Sequence, residues 1–219
     1  MLILGFPSGA LQANCYLVAT GPGRPCAVVD PGDDAADQVD DLCTEHDLTP
    51  VAVLLTHGHF DHVGSAAELS DRHRIAVHIH VGDRYMLADP MAAVSAQFAA
   101  MLAGQTFPPE PGMVVAIEQS GPLGMTALPI EAIHTPGHTT GSTCYAVAAD
   151  GARPGVLFTG DTLFAGTVGR SDLPGGDGPL LVRSIRDTLL SWPDDTVVLP
   201  GHGPASTIGD ERRTNPFLQ

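Results

Sequence analysis

The sequence predicts a mixed α/β (α+β) protein in which two mixed β-sheets pack face to face with helices on the outside. Short apolar runs typical of strands recur along the chain and outnumber the segments with helical periodicity. Several of these runs follow one another between residues 125 and 159 with no helical segment between them. A doubly wound parallel sheet, which needs a crossover between successive strands, therefore fits this order poorly.

The strand-like runs are short, rich in aliphatic residues and bounded by residues that favour turns. In chain order, the predicted strands are residues 2–6, 15–19, 27–30, 51–56, 75–79, 125–127, 130–134, 143–147, 156–159 and 196–199.

The predicted helices lie at residues 35–45, 64–71 and 179–190, where apolar side chains recur at helical spacing. Residues 86–113 are rich in alanine and also predict a helical excursion, ending in a proline-rich stretch. We expect the methionine and phenylalanine side chains of this excursion to fill the core. The alternative is that the excursion forms a lid over the active site.

The composition is that of a compact protein with a sizeable core. Of the 219 residues, 43% are apolar and 16% charged, so a single domain over residues 1–219 is expected. The 25 acidic residues outnumber the 10 basic ones, all arginine, and the net charge is −15 with a pI of about 4.7. Such a surface repels phosphate backbones and anionic membranes, which argues against nucleic-acid and membrane partners.

The chain is expected to be a soluble, cytoplasmic protein. It has no apolar run approaching the ~20 residues that cross a bilayer, and its N-terminus lacks the basic flank of a signal peptide. Its four cysteines, Cys15, Cys26, Cys43 and Cys144, are widely separated and form no CxxC motif. We expect reduced, packed thiols and assign none of them to a metal.

The most informative pattern is a glycine-containing turn that presents a ligand-type side chain after an apolar run. These turns are Thr56-His57-Gly58-His59, Thr135-Pro136-Gly137-His138, Thr159-Gly160-Asp161 and Leu199-Pro200-Gly201-His202. If the strands are neighbours, or face each other across two sheets, their ends meet at one rim on loops held by a rigid scaffold. Imidazoles and a carboxylate then converge, which predicts a metal site.

The first of these turns continues into a dense set of possible ligands: His57, His59, Asp61 and His62. Imidazole and carboxylate suit zinc, iron and manganese, and the lack of a nearby cysteine argues against a structural zinc site. His57 and His59 are two apart on an extended segment and can face one ion together. Asp61 and His62 precede the predicted helix, so they can turn toward a second ion beside the first.

Taken together, these motifs resemble the metallo-β-lactamase superfamily, and within it the glyoxalase II-like, hydroxyacylglutathione hydrolase-like enzymes. The segment from Thr56 to His62 matches the pattern T-H-x-H-x-D-H, and the later ligand-type residues follow in the family's order. Further matching fragments are Asn14-Cys15-Tyr16, Asp30-Pro31-Gly32, Gly169-Arg170-Ser171-Asp172, Pro200-Gly201-His202-Gly203 and Glu211 with Asn215-Pro216.

The resemblance covers nearly the whole chain and is to the small single-domain bacterial members. It implies a four-layer αβ/βα sandwich. The two-domain members continue into a C-terminal helical domain that contacts glutathione, and no counterpart of that domain is expected within residues 1–219.

The resemblance also implies a dinuclear centre of two divalent ions, with zinc favoured and iron or manganese as alternatives. The implied ligands are His57, His59 and His138 for one ion, Asp61, His62 and His202 for the other, and Asp161 as the bridge. Two ions sharing a water lower its pKa toward neutrality and provide hydroxide for attack on a carbonyl. Asp61 is expected to steer the water proton as well as to bind. The resemblance implies hydrolysis of a small acyl-thioester, S-lactoylglutathione or a relative, to a hydroxy acid and a free thiol. Because thiolate leaves readily, this reaction requires no separate general acid.

Two residues outside the implied ligand set have alternative roles. Asp30 either hydrogen bonds a ligand histidine or caps a turn. Arg170 either presents its guanidinium to a substrate carboxylate or pairs with Asp172, and the internal pair is slightly favoured.

Other polar residues are predicted to be structural. His134 is expected to be a satisfied structural histidine, and His78 and His80 to have surface or packing roles. Glu211 and Asn215 are expected to fasten the end of the chain to the body of the protein.

Other activities are compatible with the same fold. A persulfide dioxygenase-like enzyme would hold one iron through His57, His138 and Asp161, and would use it as an oxygenase. A lactonase, β-lactamase or phosphodiesterase would use the dinuclear centre on another activated group. The acidic composition without lysine argues against the phosphodiesterase.

Overall fold

The computed structural model describes residues 1–95, 99–100, 107–125, 128–151 and 153–219. Two six-stranded sheets dominate these residues. In the first sheet, strands β1 to β6 lie side by side in chain order; they are Leu2–Ser8, Ala13–Ala19, Pro25–Val29, Thr49–Leu54, Ala76–His80 and Val114–Ile117.

The strands of the remaining chain form the second sheet and a small hairpin. The strands β7 to β14 are Gly121–Pro122, Ile130–His134, Thr143–Val147, Val156–Gly160, Leu163–Phe164, Thr167–Val168, Val197–Pro200 and Ser206–Thr207. The second sheet has the order β14-β13-β10-β9-β8-β7, and β11 pairs with β12 as the hairpin.

Both large sheets are mixed. In the first, β1 to β3 pair antiparallel and β3 to β6 pair parallel. In the second, only β10 and β13 pair parallel. The described helices α1 to α6 are Ala36–His46, Phe60–Val63, Ala66–His73, Tyr85–Ala88, Gly178–Asp187 and Ile208–Thr214, with short 3-10 helices at Pro90–Ala93 and Leu189–Ser191.

Alternating side chains divide the core of the first sheet into two layers. On β2, Leu17 packs with Val39 of α1 and Leu69 of α3, on the helix side. Its neighbours Tyr16 and Val18 pack between the two sheets. The period of two along a strand thus supplies both faces of the sheet with apolar side chains.

The second sheet is built in the same way. On β9, Tyr145 packs against the first sheet, whereas Cys144 packs with Leu181 and Ile185 of α5. Helix α5 begins where the Asp177 carboxylate accepts a hydrogen bond from the Leu180 amide at 2.9 Å. The result is helix, sheet, sheet and helix, which confirms the predicted αβ/βα arrangement.

The structure corrects two predictions about the middle of the chain. Residues 107–113 are not helical, because the prolines of this stretch cannot continue a helix, and β6 follows them. The helical excursion is observed at α4, at Pro90–Ala93 and at residues 99–100, while residues 96–98 and 101–106 lie outside the described part. Met86 is fully buried as expected, but Met113 is 44% exposed.

The predicted strand at 125–127 is not found where it can be tested. Met125 is not in a strand, and residues 126–127 lie outside the described part. The strand that pairs with β8 on this side is instead β7. The four cysteines are buried and free, as expected. Within the described residues, no helix combines the length and apolar character needed to span a membrane.

Leu69 gives a direct test of the outer core. It is fully buried, so Leu69→Ala should lower the free energy of unfolding by about 2–5 kcal/mol through lost burial and a residual cavity. Val115→Ala, at a side chain that is 44% exposed on β6, should cost under about 1 kcal/mol. Urea unfolding followed by circular dichroism measures both, and equal losses would contradict the layer assignment.

Candidate metal centre

The glycine-containing turns meet at one rim of the sandwich. His57 and His59 follow β4, His138 follows β8, Asp161 follows β10 directly and His202 follows β13. The structure brings all seven predicted ligand residues together, with ligand atoms inside each group within 4.8 Å of one another. The three groups are His57 with His59 and His138, His57 with His62 and Asp161, and Asp61 with His62 and His202.

Three imidazoles form the first half of the cluster. His138 Nε2 lies 3.3 Å from His57 Nε2 and 3.0 Å from His59 Nδ1. The other nitrogen of His138, Nδ1, donates to the backbone oxygen of Arg170 at 2.7 Å, so its Nε2 carries a lone pair. Lone pairs on buried nitrogens this close repel one another unless a cation lies between them.

Thr56 determines the tautomer of His57. The Thr56 hydroxyl donates to Asp30 Oδ2 at 2.6 Å, so it accepts a hydrogen bond from His57 Nδ1 at 3.0 Å. His57 Nε2 is therefore unprotonated and faces the cluster. This arrangement is the one found behind metal-binding histidines, where the second ring nitrogen donates to a fixed acceptor.

The second half of the cluster combines imidazoles with carboxylates. His62 Nε2 lies 3.7 Å from Asp61 Oδ2 and 3.4 Å from Asp161 Oδ1. His202 Nε2 lies 3.3 Å from Asp61 Oδ2 and 3.8 Å from Asp161 Oδ1. Nitrogen and oxygen donors at this spacing form a mixed site of the kind that holds zinc, iron or manganese.

Asp161 spans the two halves. Its Oδ2 lies 3.7 Å from His138 Nε2, and its Oδ1 faces His62. Asp161 Oδ1 and His62 Nε2 are buried, and neither has a hydrogen-bond partner in the described structure. Gly201 covers this pair so closely that a Cβ would collide with Asp161 Oδ1 and lie 2.7 Å from His62 Cε1. Unpartnered donor atoms in a dense cluster fit a dinuclear metal centre.

The electrostatics keep His57, His59 and Asp61 in ligand form. Burial, with smaller contributions from neighbouring imidazoles, lowers the pKa of His57 well below its usual range, and burial together with His138 lowers the pKa of His59 to about 4. Burial alone raises the pKa of Asp61, but His62 and the hydrogen bond from His202 outweigh it and the pKa is lowered. At neutral pH the carboxylate is ionised and the imidazoles of His57 and His59 are neutral. For His62 and His202 the shift is opposite: against the effect of burial, Asp61 and Asp161 raise the pKa of both imidazoles.

Asp30 takes the first of its two predicted roles. Its Oδ2 accepts from His62 Nδ1 at 3.0 Å, which leaves His62 Nε2 to face the cluster. Its Oδ1 accepts from the Thr56 amide at 2.7 Å. One fully buried carboxylate therefore orients a histidine in each half of the centre, through Thr56 for His57 and directly for His62.

Sequence reasoning missed Asp83, which joins the loops of the first half. Its Oδ2 accepts from the Thr139 hydroxyl at 2.6 Å and from the Gly58 amide at 3.2 Å, and its Oδ1 accepts from the Gly141 amide at 2.7 Å. Gly58 lies between two candidate ligands and Thr139 follows a third. The sequence pattern that identified the ligand turns also occurs here: the apolar run 75–79 is followed by the glycine-containing turn His80-Val81-Gly82-Asp83.

Asn14 and Tyr16 hold the loop that carries His202. Asn14 Nδ2 donates to the Pro200 and Gly203 carbonyl oxygens, both at 3.0 Å, and the Tyr16 hydroxyl donates to Pro200 at 2.8 Å. The first sheet thus positions a ligand that belongs to the second sheet.

The end of the chain supports the hairpin that follows Asp161. Asn215 Nδ2 donates to the Thr167 carbonyl oxygen at 3.0 Å, and Glu211 Oε2 accepts from the Gly166 amide at 2.9 Å. Glu211 and Asn215 therefore fasten the last helix to the body of the protein, as expected.

A cavity of about 550 Å³ opens over the cluster. Besides candidate ligands, its lining residues are Leu11, Phe60, Val94, Ser95, Arg170 and Leu173.

The Arg170 guanidinium faces Asp172, with Nε to Oδ1 and Nη2 to Oδ2 both at 2.8 Å. The internal pair predicted for Arg170 is present, and the same residue borders the cavity. Val94 and Ser95 bring part of the predicted helical excursion to the cavity wall, as the lid alternative requires.

His134 and His80 stack on each other rather than joining the cluster. Their ring centroids are 3.9 Å apart with an interplanar angle of 10°, and His134 Nε2 contacts the Thr140 carbonyl oxygen at 3.0 Å. His80 Nδ1 accepts from the Gly82 amide, so its buried Nε2 carries the proton. The pair is a packing feature of the rim.

The chain belongs to the metallo-beta-lactamase superfamily. The family model matches residues 8–202, which include every candidate ligand. Together with the fold and the donor cluster, this places the protein among the metallo-hydrolases of the superfamily.

The chain is similar over nearly its full length to several bacterial proteins. It is 49% identical to an uncharacterized protein of Mycobacterium leprae, covering 100% of this chain and 99% of the relative. It is 38% identical to the probable metallo-hydrolase YqgX of Bacillus subtilis and 34% identical to hydroxyacylglutathione hydrolase GloC of Haemophilus influenzae, covering 97% and 95% in both cases.

Solved structures agree with the fold. The BLEG-1 B3 metallo-beta-lactamase superposes with a TM-score of 0.86 at 35% identity, with full coverage of both chains. TTHA1623, solved in a di-iron-bound form, has a TM-score of 0.80 at 39% identity and covers 98% of this chain and 100% of its own. ETHE1 from Myxococcus xanthus has a TM-score of 0.74 at 26% identity, with 99% and 84% covered.

Removal of the Asp83 carboxylate should weaken the first half of the centre. Asp83→Ala leaves the Gly58 and Gly141 amides without their acceptor, and metal affinity there should fall about 10–100-fold. Asp83→Asn keeps one acceptor and should lose less. Competition with a chromophoric chelator measures the affinity. Asp71→Ala, on the exposed side of α3, is the control. A lower unfolding temperature with unchanged metal affinity would show that Asp83 only stabilises the fold.

The buried His80 should make stability fall in mild acid. Burial and His134 lower its pKa from 6.5 to about 4. Between these values the imidazole is neutral when folded and protonated when unfolded, so the stability it contributes is lost as the pH falls from 6.5 toward 4.

His80→Phe keeps an aromatic ring against His134 and removes this titration. Its free energy of unfolding should therefore decrease less than that of the wild type between pH 7 and pH 5. Urea unfolding of both proteins measures this difference. Because both proteins keep the histidines of the cluster, the contribution of those histidines to the pH dependence is the same in each and cancels in the comparison. If both proteins lost the same free energy of unfolding between pH 7 and pH 5, the lowered pKa assigned to His80 would be contradicted.

Proposed function

We propose that the protein is a metal-dependent thioester hydrolase of the glyoxalase II type, which cleaves S-lactoylglutathione or a related small acyl-thioester. The observation that carries this proposal is the complete set of seven donor residues, with Asp161 between the two halves, at the floor of a cavity large enough for a small thioester. The similarity to a hydroxyacylglutathione hydrolase over nearly the whole chain supports it.

The first half of the centre would be held by His57, His59 and His138, and the second by Asp61, His62 and His202, with Asp161 shared. When bound, two divalent ions supply hydroxide at neutral pH and stabilise negative charge on a carbonyl oxygen. The zinc, iron and manganese ions all accept this donor set, and we propose zinc. The di-iron form of TTHA1623 makes iron the alternative to test.

The residues of the chain have separate tasks in this reaction. Asp30 and Asp83 fix the loops, so the cluster is organised before substrate arrives. Asp61 borders the cavity with its carboxylate ionised, and we assign it the orientation of the attacking water and its proton. The apolar wall formed by Phe60 and Leu173 would exclude bulk water from the carbonyl. Thiolate departs without a proton donor, so the mechanism requires no separate general acid.

The reaction is assigned to the cytoplasm. The four cysteines are free and buried, which fits a reducing compartment. The partner is a small molecule rather than nucleic acid, since the net charge is −15.

Two other activities provide the competing outcomes. An oxygenase with one iron, held by His57, His138 and Asp161, leaves His62 and His202 without a role, whereas both reach the same cluster. β-Lactam hydrolysis is favoured as second candidate by the likeness to the BLEG-1 B3 enzyme. This reaction would use the same metal centre to hydrolyse the strained amide bond of a β-lactam ring.

The decisive experiment is thiol release from S-lactoylglutathione and from S-acetyl-N-acetylcysteamine, with nitrocefin hydrolysis and metal content measured on the same sample. Thioester turnover with about two metals per chain is expected. Nitrocefin turnover without thioester turnover would favour the lactamase. Oxygen uptake on addition of a low-molecular-weight persulfide, with one iron per chain, would favour the oxygenase.

Asp61→Asn tests the role of the second half. It should reduce kcat for the thioester about 10²–10⁴-fold and lower the metal content toward one ion per chain, because the second ion loses its carboxylate. Asp71→Asn is the matched control, since it makes the same charge change on an exposed helix face. Full activity with full metal content in Asp61→Asn would rule out the dinuclear assignment.

A further inference from the structure

We propose that the thiol released by this enzyme carries no carboxylate in the part that occupies the cavity, so that the substrate is the thioester of an uncharged thiol. This inference rests on the thioester hydrolysis proposed above. Of the two substrates named there, it favours the related small acyl-thioester over S-lactoylglutathione. It comes from the charges around the cavity rather than from the metal cluster.

Apart from the candidate ligands, the cavity wall is almost uncharged. Leu11, Phe60, Val94 and Leu173 are apolar, and Ser95 offers a hydroxyl. Among the described lining residues, Arg170 is the one cationic side chain outside the cluster. A thiol with carboxylates would therefore depend on this one guanidinium for its recognition.

The guanidinium of Arg170 already has a carboxylate partner, in an ion pair whose side chains are 60% and 70% exposed. Its Nε and Nη2 face the two carboxylate oxygens of Asp172 in a bidentate pair, both at 2.8 Å. Because Asp172 is two residues away, its carboxylate competes with any incoming carboxylate at a high effective concentration. The hydrogen bond from Arg170 lowers the pKa of Asp172 to about 2, so the competitor stays ionised at neutral pH. The pair presents no net charge to the cavity.

The segment that contains Val94 and Ser95 has no cationic residue in its sequence. Residues 90–109, of which Val94 and Ser95 line the cavity, contain no charged residue and no histidine. The chain has no lysine at all, and its net charge of −15 disfavours the approach of anions from solution. Glutathione, with two carboxylates and one ammonium, would find neither an unpaired guanidinium nor a favourable field. A thiol bearing amides or hydroxyls has a smaller desolvation cost than a carboxylate when it enters this cavity.

A matched pair of substrates tests the inference. S-Acetyl-3-mercaptopropionamide and S-acetyl-3-mercaptopropionate share the acyl group and the size of the thiol, and differ in one charge. For the holoenzyme at low ionic strength, we expect KM of the carboxylate to be about tenfold higher at similar kcat, with the difference shrinking as salt screens the field. An equal or lower KM for the carboxylate would overturn the inference.

A substitution beside the cavity isolates the ion pair. Asp172→Asn frees the Arg170 guanidinium, so KM for the carboxylate substrate should fall several-fold toward that of the amide, while KM for the amide substrate stays unchanged. Asp71→Asn makes the same change in net charge on the exposed side of α3. It should leave the ratio of the two KM values, carboxylate substrate over amide substrate, as in the wild type. The inference fails if Asp172→Asn also leaves the ratio unchanged.

Binding separates this inference from the proposed reaction. Thioether analogues of the two substrates, with a methylene inserted between sulfur and carbonyl, cannot be hydrolysed at that bond, and calorimetry gives their affinities. If no thioester is turned over, the proposed function fails, and the analogues still decide the inference. Tighter binding of the amide supports it, and equal or tighter binding of the carboxylate overturns it.

Discussion

The convergence of imidazole and carboxylate donors in one buried cluster is the constraint on which the rest of the structure depends. Buried lone pairs within about 3–4 Å of each other are unfavourable unless a cation compensates them. The fold therefore has to bring several strand ends to one point and hold them there. The protein does so with a second set of polar residues behind the cluster, which hydrogen bond to the donor side chains and to the loops that carry them.

Two buried carboxylates organise this supporting set. Asp30 links the two halves of the centre, because it contacts His62 directly and His57 through Thr56. Asp83 links loops that come from different sheets, since Gly58 follows β4 and Gly141 precedes β9. Each acid accepts hydrogen bonds from a backbone amide and a hydroxyl group on the loops that it joins. Both sheets thus act as one support for the centre.

The cavity above the cluster follows a different rule. Its floor is rich in charge, whereas its wall is apolar and its one guanidinium is paired. In the proposed reaction, the donor cluster would carry the chemistry and the wall would select the substrate. All candidate ligands on the floor lie within the range that the family model matches, and one fold can carry different activities through different pocket walls.

The sequence alone determined the fold class, the family and the donor residues that meet at the rim. Local patterns sufficed for these. The period of two along β2 and β9 dictates two buried faces, and glycine turns after apolar runs place ligand-type residues at strand ends. The sequence also showed the prolines near residue 110, which cannot continue a helix, but the predicted helical excursion was extended past them to residue 113.

Only the tertiary structure decided which groups stand behind the donors and which face the cavity. The partners of Asp83 lie as far as 58 residues away along the chain, and Asn14 reaches Pro200 across 186 residues. No local pattern encodes contacts of this kind, because they depend on how the two sheets are placed against each other. For Arg170 the sequence offered two partners, and the geometry of the loop selected Asp172.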